Sequence, residues 1–182
     1  MYLISAYFDE NTNEILKHLQ QKIADKTGND FMIRNNVMPH LTISAIEARS
    51  VDVLIPAFEK VCRGKLQSLE EKSVANNTIN IVSVGQLFPR VIYAAPVLNE
   101  YMMNLSISIY NEFATIPETN ISKFYQPYSW MPHITLGKCL DKEQMRQAFA
   151  VLQDLFMPID GRIAKIGLST VNPYREVMSV EL

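Results

Sequence analysis

The chain has 182 residues, a formal net charge of −2 and 48% hydrophobic residues. This composition is typical of a globular domain that buries its own core. The small net charge argues against duplex nucleic acid as a partner, because binding a long duplex needs a basic surface that neutralises several phosphates at once. A small nucleotide or an RNA end, held by a few groups, is compatible with this charge.

Neither membrane insertion nor export is expected. No apolar run approaches the roughly 20 residues of a membrane span, and the first residues, MYLISAYFDE, lack the positive region of a signal peptide. Cys62 and Cys139 are too few for a disulfide framework and lack metal-type spacing. We therefore expect a cytoplasmic protein, whose oligomeric state the sequence does not indicate.

The first half of the chain predicts six elements in the order β-α-β-α-β-β. They are a strand at 2–8, a helix at about 12–27, a strand at about 37–46, a helix from Ser50 to about 63, and strands at about 65–74 and 78–88. Apolar residues recur every fourth position from Ile15 to Ile23, which indicates the first helix, with Asn11 as its cap. Gly28 is expected to end it. The last two strands are predicted to meet in a turn at 76–77.

The second half predicts the same order of elements. They are a strand at 91–97, a helix at about 99–115, a strand at about 130–138, a helix at 141–155, and strands at 160–171 and 174–182, the last two flanking a turn at 172–173. Asp141 and Gln144 have the spacing of a capping box at the start of the second helix. Six elements recurring in order indicate an internal duplication.

We therefore expect an α+β fold of duplicated β-α-β-α-β-β lobes, with antiparallel sheets around a central cleft. Residues 1–182 would form a single bilobal domain, with lobe one at about 1–89 and lobe two at about 90–182. An exchange of the terminal strands between the lobes is left open.

One phrase occurs in both halves, as PHLTIS and as PHITLG, and uses two of the three histidines of the chain. Side chains of a strand alternate between its two faces. His40 and Thr42 should therefore share one face, and so should His133 and Thr135. If the halves pack about a pseudo-twofold axis, the two motif strands come together, and two imidazoles face each other with two hydroxyls between them.

Two imidazoles across a cleft suit a reaction at phosphorus. Histidine titrates near neutrality, so one neutral ring can take a proton from the attacking oxygen while a protonated ring gives one to the leaving oxygen. Threonine hydroxyls can donate to the non-bridging phosphate oxygens. This chemistry needs no metal and no cofactor, and no zinc-like spacing of ligands lies beside either motif.

The paired His-x-Thr motifs in a duplicated β-α-β frame resemble the 2H phosphoesterase superfamily. Its members include bacterial 2′-5′ RNA ligase-like proteins and 2′,3′-cyclic nucleotide phosphodiesterases. The resemblance covers essentially the whole chain in architecture and is specific at the two motifs. It implies a 2H phosphoesterase-like fold, with His40 and His133 as the catalytic acid and base and with Thr42 and Thr135 binding the substrate phosphate.

The leading hypothesis is a metal-independent phosphodiesterase that hydrolyses a 2′,3′-cyclic phosphate of a nucleotide or RNA end. A 2′-5′ RNA ligase and a phosphodiesterase for 2′-5′ linkages or cyclic oligonucleotides share the same four residues, so the motifs do not separate them. A binding module for RNA ends or nucleotides is the alternative from another class. Which histidine is the acid and which the base stays open.

Residues around the motifs carry weaker signals. Some relatives have an arginine where this chain has Lys138; strand alternation turns Lys138 away from His133, so it is given no role. Ser44 is predicted to extend the polar floor beside the first motif. The segment 119–131 either stacks on a base or fills the gap between the lobes, and its aromatic residues are Phe124, Tyr125, Tyr128 and Trp130.

Overall fold

The computed structural model describes residues 1–71, 77–171 and 174–182, with only the backbone for 65–71. The strands are β1 Tyr2–Phe8, β2 Leu41–Glu47, β3 Thr78–Leu87, β4 Val91–Pro96, β5 Asn120–Ile121, β6 Ile134–Lys138, β7 Ile159–Thr170 and β8 Arg175–Glu181. The helices are α1 Glu10–Thr27, α2 Phe31–Arg34, α3 Ile55–Glu71, α4 Glu100–Phe113 and α5 Lys142–Leu155, with short 3₁₀ turns at Val51–Val53 and Lys123–Tyr125.

The expected α+β class with antiparallel sheets is confirmed. The strands follow the order β1-β2-β6-β4-β3-β7-β8, and β5 pairs with β2. Because β1 also pairs with β7, the path through the first six of these strands closes on itself. Every strand pair among the described residues is antiparallel.

Strands from the two halves of the sequence are interleaved along this path, with β3 of the first half lying between β4 and β7 of the second. β3 pairs with β4 and β7, and β7 pairs in turn with β1. The helices cross over in the same way, since α1 packs against α5 and β6, and α4 packs against α3 and β2. Each motif strand is therefore covered by the first helix of the other half of the chain.

One predicted strand is wrong. The segment predicted as a strand at 65–74 is helical up to Glu71, where α3 ends, and 72–76 lie outside the described residues. The strand was predicted to lead into the turn at 76–77, but KLQSLEE is composed mainly of good helix formers, so the helix continues past Gly64. The predicted turn at 172–173 and the first residue of that at 76–77 also lie outside the described residues.

Of the three residues predicted to cap or end α1 and α5, two are correct. Asp141 caps α5 with a full capping box from Gln144, and Gly28 ends α1 in the left-handed conformation at φ 69°. Asn11 does not cap α1: the helix begins earlier, and the Asp9 carboxylate accepts from the backbone N–H of Thr12.

Within the described ranges, no helix is both long and apolar enough to cross a membrane.

Candidate active site

The two motifs meet where β2 and β6 pair. The register sets Leu41 opposite Ile134, and both are fully buried in the core. His40 and His133 directly precede these residues, so each lies at the start of its motif strand. One step along this antiparallel register sets His40 beside Thr135, and the same step in the other direction sets His133 beside Thr42.

The structure thus brings the four predicted residues together on one face. Leu41 and Ile134 face the core, whereas His40, His133 and Thr135 are half-buried and Thr42 is 9% exposed. The pseudo-twofold relation of the two motifs follows from the Leu41–Ile134 pair, which lies at its centre.

Each imidazole is oriented by the same hydrogen bond. Nδ1 of His40 lies 2.8 Å from the backbone oxygen of Met38, and Nδ1 of His133 lies 3.0 Å from that of Met131. A carbonyl oxygen only accepts, so Nδ1 carries a proton in both rings. In the neutral form Nε2 is then the basic nitrogen, and in the charged form Nε2 is an acid.

The environment of His40 favours the neutral ring. Burial lowers the pKa of His40 below its ordinary value of 6.5 and outweighs the bond to Met38, which raises it. The positive charges of His133 and Lys138 lower the pKa of His40 further.

A bulge in β6 explains the position of Lys138. Tyr93 pairs with Thr135 but Ile92 pairs with Gly137, so one extra residue, Leu136, is inserted in β6. The alternation of side chains shifts by one at this point. The prediction that Lys138 points away from the histidines is therefore wrong. The Nζ atom of Lys138 also lies 5.8 Å from the ring centroid of Phe31.

A bulge at the corresponding position of β2 removes Ser44 from the polar face. Ser5 pairs with Thr42 but Ile4 pairs with Ser44, which leaves Ile43 as the extra residue. Ser44 is 2% exposed, and its hydroxyl has no hydrogen-bond partner within the described residues. The prediction that Ser44 extends the polar floor is wrong.

Side chains satisfy the backbone beside each bulge. The carbonyl of Thr135 accepts from the side-chain amide of Gln20 at 3.1 Å, and the carbonyl of Thr42 accepts from the indole N–H of Trp130 at 3.0 Å. Gln20 and Trp130 are both buried. These bonds hold the motif threonines in place where the regular ladder is interrupted.

A sequence model described as the 2′-5′ RNA ligase superfamily matches residues 18–172. The chain belongs to this superfamily. The resemblance to 2H phosphoesterases that the two motifs indicated is thereby confirmed, and the superfamily consists generally of phosphodiesterases and ligases.

Two solved structures of Usb1 from Kluyveromyces marxianus are also similar to this chain. They match at TM-scores of 0.44 and 0.43, each with 10% sequence identity over 100% of this chain and 97% of that chain. The second contains uridine monophosphate. The chain matches no curated protein.

The aromatic residues of the segment 119–131, called the aromatic segment below, differ in their exposure in this 2′-5′ RNA ligase superfamily member. Trp130 is buried and holds the first motif strand, and Tyr125 is half-buried, which raises the pKa of its hydroxyl. Phe124 and Tyr128 are 61% and 84% exposed. The structural interpretation therefore holds for Trp130, while the Phe124 and Tyr128 rings are exposed, with Lys123 Nζ 5.3 Å from the Phe124 ring centroid.

Two tyrosines missed by the sequence analysis contact the imidazoles. The ring centroid of Tyr7 lies 6.1 Å from that of His40, and the ring centroid of Tyr93 lies 5.8 Å from that of His133. Both distances are those of interacting aromatic rings. The tyrosines lie on β1 and β4, far from the motifs in sequence, and no local spacing signals them.

Tyr7, which lies beside His40, makes further contacts with the side chains around it. The hydroxyl of Tyr7 lies 2.6 Å from that of Tyr174, and Lys165 Nζ lies 4.8 Å from the Tyr7 ring centroid. Lys165 also forms an ion pair with Glu176 at 3.0 Å. Burial and the bond to Tyr174 raise the pKa of Tyr7, so this hydroxyl stays protonated near neutrality.

Proposed function

We propose that this protein is a metal-independent phosphodiesterase that hydrolyses a 2′,3′-cyclic phosphate of a nucleotide or RNA end. His40 and His133 serve as general acid and base, and Thr42 and Thr135 bind the phosphate. The observation that carries this proposal is the pair of imidazoles with matching Nδ1–carbonyl hydrogen bonds. Binding alone needs no such pair of proton-transfer groups.

The reaction balances with the two rings in opposite protonation states. A neutral imidazole takes a proton from water at Nε2 as the water oxygen attacks phosphorus. The bond from phosphorus to one ribose oxygen breaks, and the protonated imidazole delivers its Nε2 proton to that oxygen. The product is a phosphomonoester beside a free ribose hydroxyl.

The residues around the imidazoles stabilise the phosphate. The hydroxyls of Thr42 and Thr135 donate to the non-bridging oxygens, on which negative charge grows in the transition state. Lys138 adds a positive charge close enough to influence His40. These groups supply electrostatic stabilisation independently of the two proton transfers.

The aromatic segment favours a substrate that carries a base. Phe124 and Tyr128 are exposed on a segment that pairs with β2 through β5 and leads directly into the second motif. A nucleobase offers a face for stacking, and such stacking tolerates different bases. This supports a nucleotide or RNA end over a phosphodiester without a base.

The proposal is tested with four 2′,3′-cyclic nucleotides, a 2′-5′-linked dinucleotide and an RNA with a cyclic phosphate end, all without added metal. Phosphorus NMR identifies each product and tells whether the 2′ or the 3′ oxygen leaves. We expect turnover of cyclic phosphates with no effect of a metal chelator.

His40→Ala or His133→Ala should each lower activity by about 10²- to 10⁴-fold, the usual cost of losing a general acid or base. His18→Ala is the matched control, because His18 lies exposed on α1 and should keep full activity. Near-full activity in either motif variant would contradict the two-histidine mechanism. Turnover of the 2′-5′-linked dinucleotide alone would mean that the substrate is a 2′-5′ linkage and not a 2′,3′-cyclic phosphate.

A further inference from the structure

Gly85 lies in a row of residues that crosses the sheet to the second motif. It pairs with Tyr93 on β4, and Tyr93 pairs on its other side with Thr135. The Tyr93 ring lies across Gly85: a methyl group added there would stand 2.5 Å from the tyrosine hydroxyl oxygen and 2.6 Å from Cζ. The same ring meets His133 at an interplanar angle of 68°.

Gly167 holds the corresponding place in the row that leads to the first motif. It pairs with Ser5 on β1, and Ser5 pairs on its other side with Thr42. A methyl group added at Gly167 would stand 3.0 Å from Cε2 of Tyr7. That ring lies against His40, with 45° between the two ring planes.

The two tyrosines do not occupy corresponding positions. Tyr93 lies in the row of a motif threonine, where the first half has Ser5, whereas Tyr7 lies two residues further along its strand. Both rings nevertheless extend over a glycine at the same place. Glycine inside a strand weakens the strand and often marks a close approach of another group, and here that group is an aromatic ring directed to a histidine.

We propose that Gly85 and Gly167 are positioning residues, which leave room for the Tyr93 and Tyr7 rings to hold the His133 and His40 imidazoles for proton transfer. The Nδ1–carbonyl bond fixes one edge of each imidazole, and the tyrosine ring limits its remaining rotation. This inference rests on the proposed function only for its effect on turnover.

Gly85→Ala tests the inference on the second motif. The added methyl group meets the far end of a flexible side chain, so we expect the chain to fold and the Tyr93 ring to swing off Gly85. Imidazole ¹H–¹⁵N spectra should then show displaced His133 signals and unchanged His40 signals. Gly167→Ala should displace the His40 signals alone, by a smaller amount, since its contact is longer.

Gly64→Ala is the matched control, because no described atom of another element lies within 4 Å of a methyl group at this helical position. It should leave both imidazoles unchanged. Unmoved His133 signals in folded Gly85→Ala would overturn the inference. If Gly85→Ala does not fold, Tyr93→Leu removes the same ring contact without a clash, and it too must displace the His133 signals for the inference to stand.

The kinetic arm separates positioning from a general structural effect. Misplacing a catalytic group by about 1 Å costs roughly 10²-fold, so Gly85→Ala should lower kcat by roughly 10- to 100-fold and change KM little. Because the glycine acts through the tyrosine, Gly85→Ala should cost nothing further in the Tyr93→Leu background. If Gly85→Ala lowered kcat equally in the unaltered protein and in Tyr93→Leu, Gly85 would not act through the Tyr93 ring. Absence of turnover in the unaltered protein would refute the proposed function, while the imidazole spectra would still decide this inference.

Discussion

A single hydrogen bond to a backbone carbonyl decides which nitrogen of each motif histidine is available for proton transfer. Met38 and Met131 supply the carbonyls, two residues before each histidine. The proline between them restricts the backbone that presents each carbonyl. The proline in the repeated phrase thus has a physical reason, since it restricts the backbone segment whose carbonyl orients the imidazole.

Lys138 should tune His40 by its charge. Replacing it by methionine in Lys138→Met removes a nearby positive charge, so the protonated imidazole becomes less unfavourable and the pKa of His40 rises. Titration of the imidazole signals by NMR measures this directly, and Lys17→Met on the exposed face of α1 is the control. A His40 pKa that falls or does not move in Lys138→Met would contradict the electrostatic contact.

The bulges in β2 and β6 are the features that shape the site at the level of elements. Each inserts one apolar residue, Ile43 or Leu136, directly after the motif threonine. The bulge buries the next position, which is Ser44 in one strand and Gly137 in the other. The sequence alone gives no sign of this, because a bulge is defined by the register of a neighbouring strand.

The aromatic segment should show two separable functions. Trp130→Phe leaves the Thr42 carbonyl without its donor and should destabilise the fold by about 1 to 3 kcal/mol, the cost of an unsatisfied buried group. Tyr128→Ala should leave stability unchanged but raise KM for an RNA end, since stacking contributes about 1 to 3 kcal/mol per base. Denaturant unfolding and steady-state kinetics check both variants. An unchanged KM in Tyr128→Ala would assign the nucleobase elsewhere.

Across the whole molecule, the duplication is readable in sequence because it repeats local signals. The His-x-Thr phrases, the Asp141 capping box and the Gly28 helix end are local, and the structure bears out the two helix-end signals. Local signals do not reveal contacts between residues that lie far apart in the sequence. Tyr93 reaches His133 from another strand, and α3 departs from the duplicated pattern because its own residues favour helix.

Asymmetry between the halves gives the two histidines different surroundings. β8 extends the sheet beyond β7 and brings Tyr174 to the hydroxyl of Tyr7, beside His40. The two imidazoles are therefore related by pseudo-symmetry but have different neighbours. Such a difference is expected of a pair in which one ring acts as the acid and the other as the base.

The central claim, that the two imidazoles act as one catalytic unit, is tested most directly by a double-mutant cycle. kcat/KM on a 2′,3′-cyclic nucleotide is measured for the unaltered protein, His40→Ala, His133→Ala and the double variant. Groups that act together are strongly non-additive, so the double variant should be little slower than the slower single variant. Losses that multiply would show two independent contributions and contradict the two-histidine mechanism.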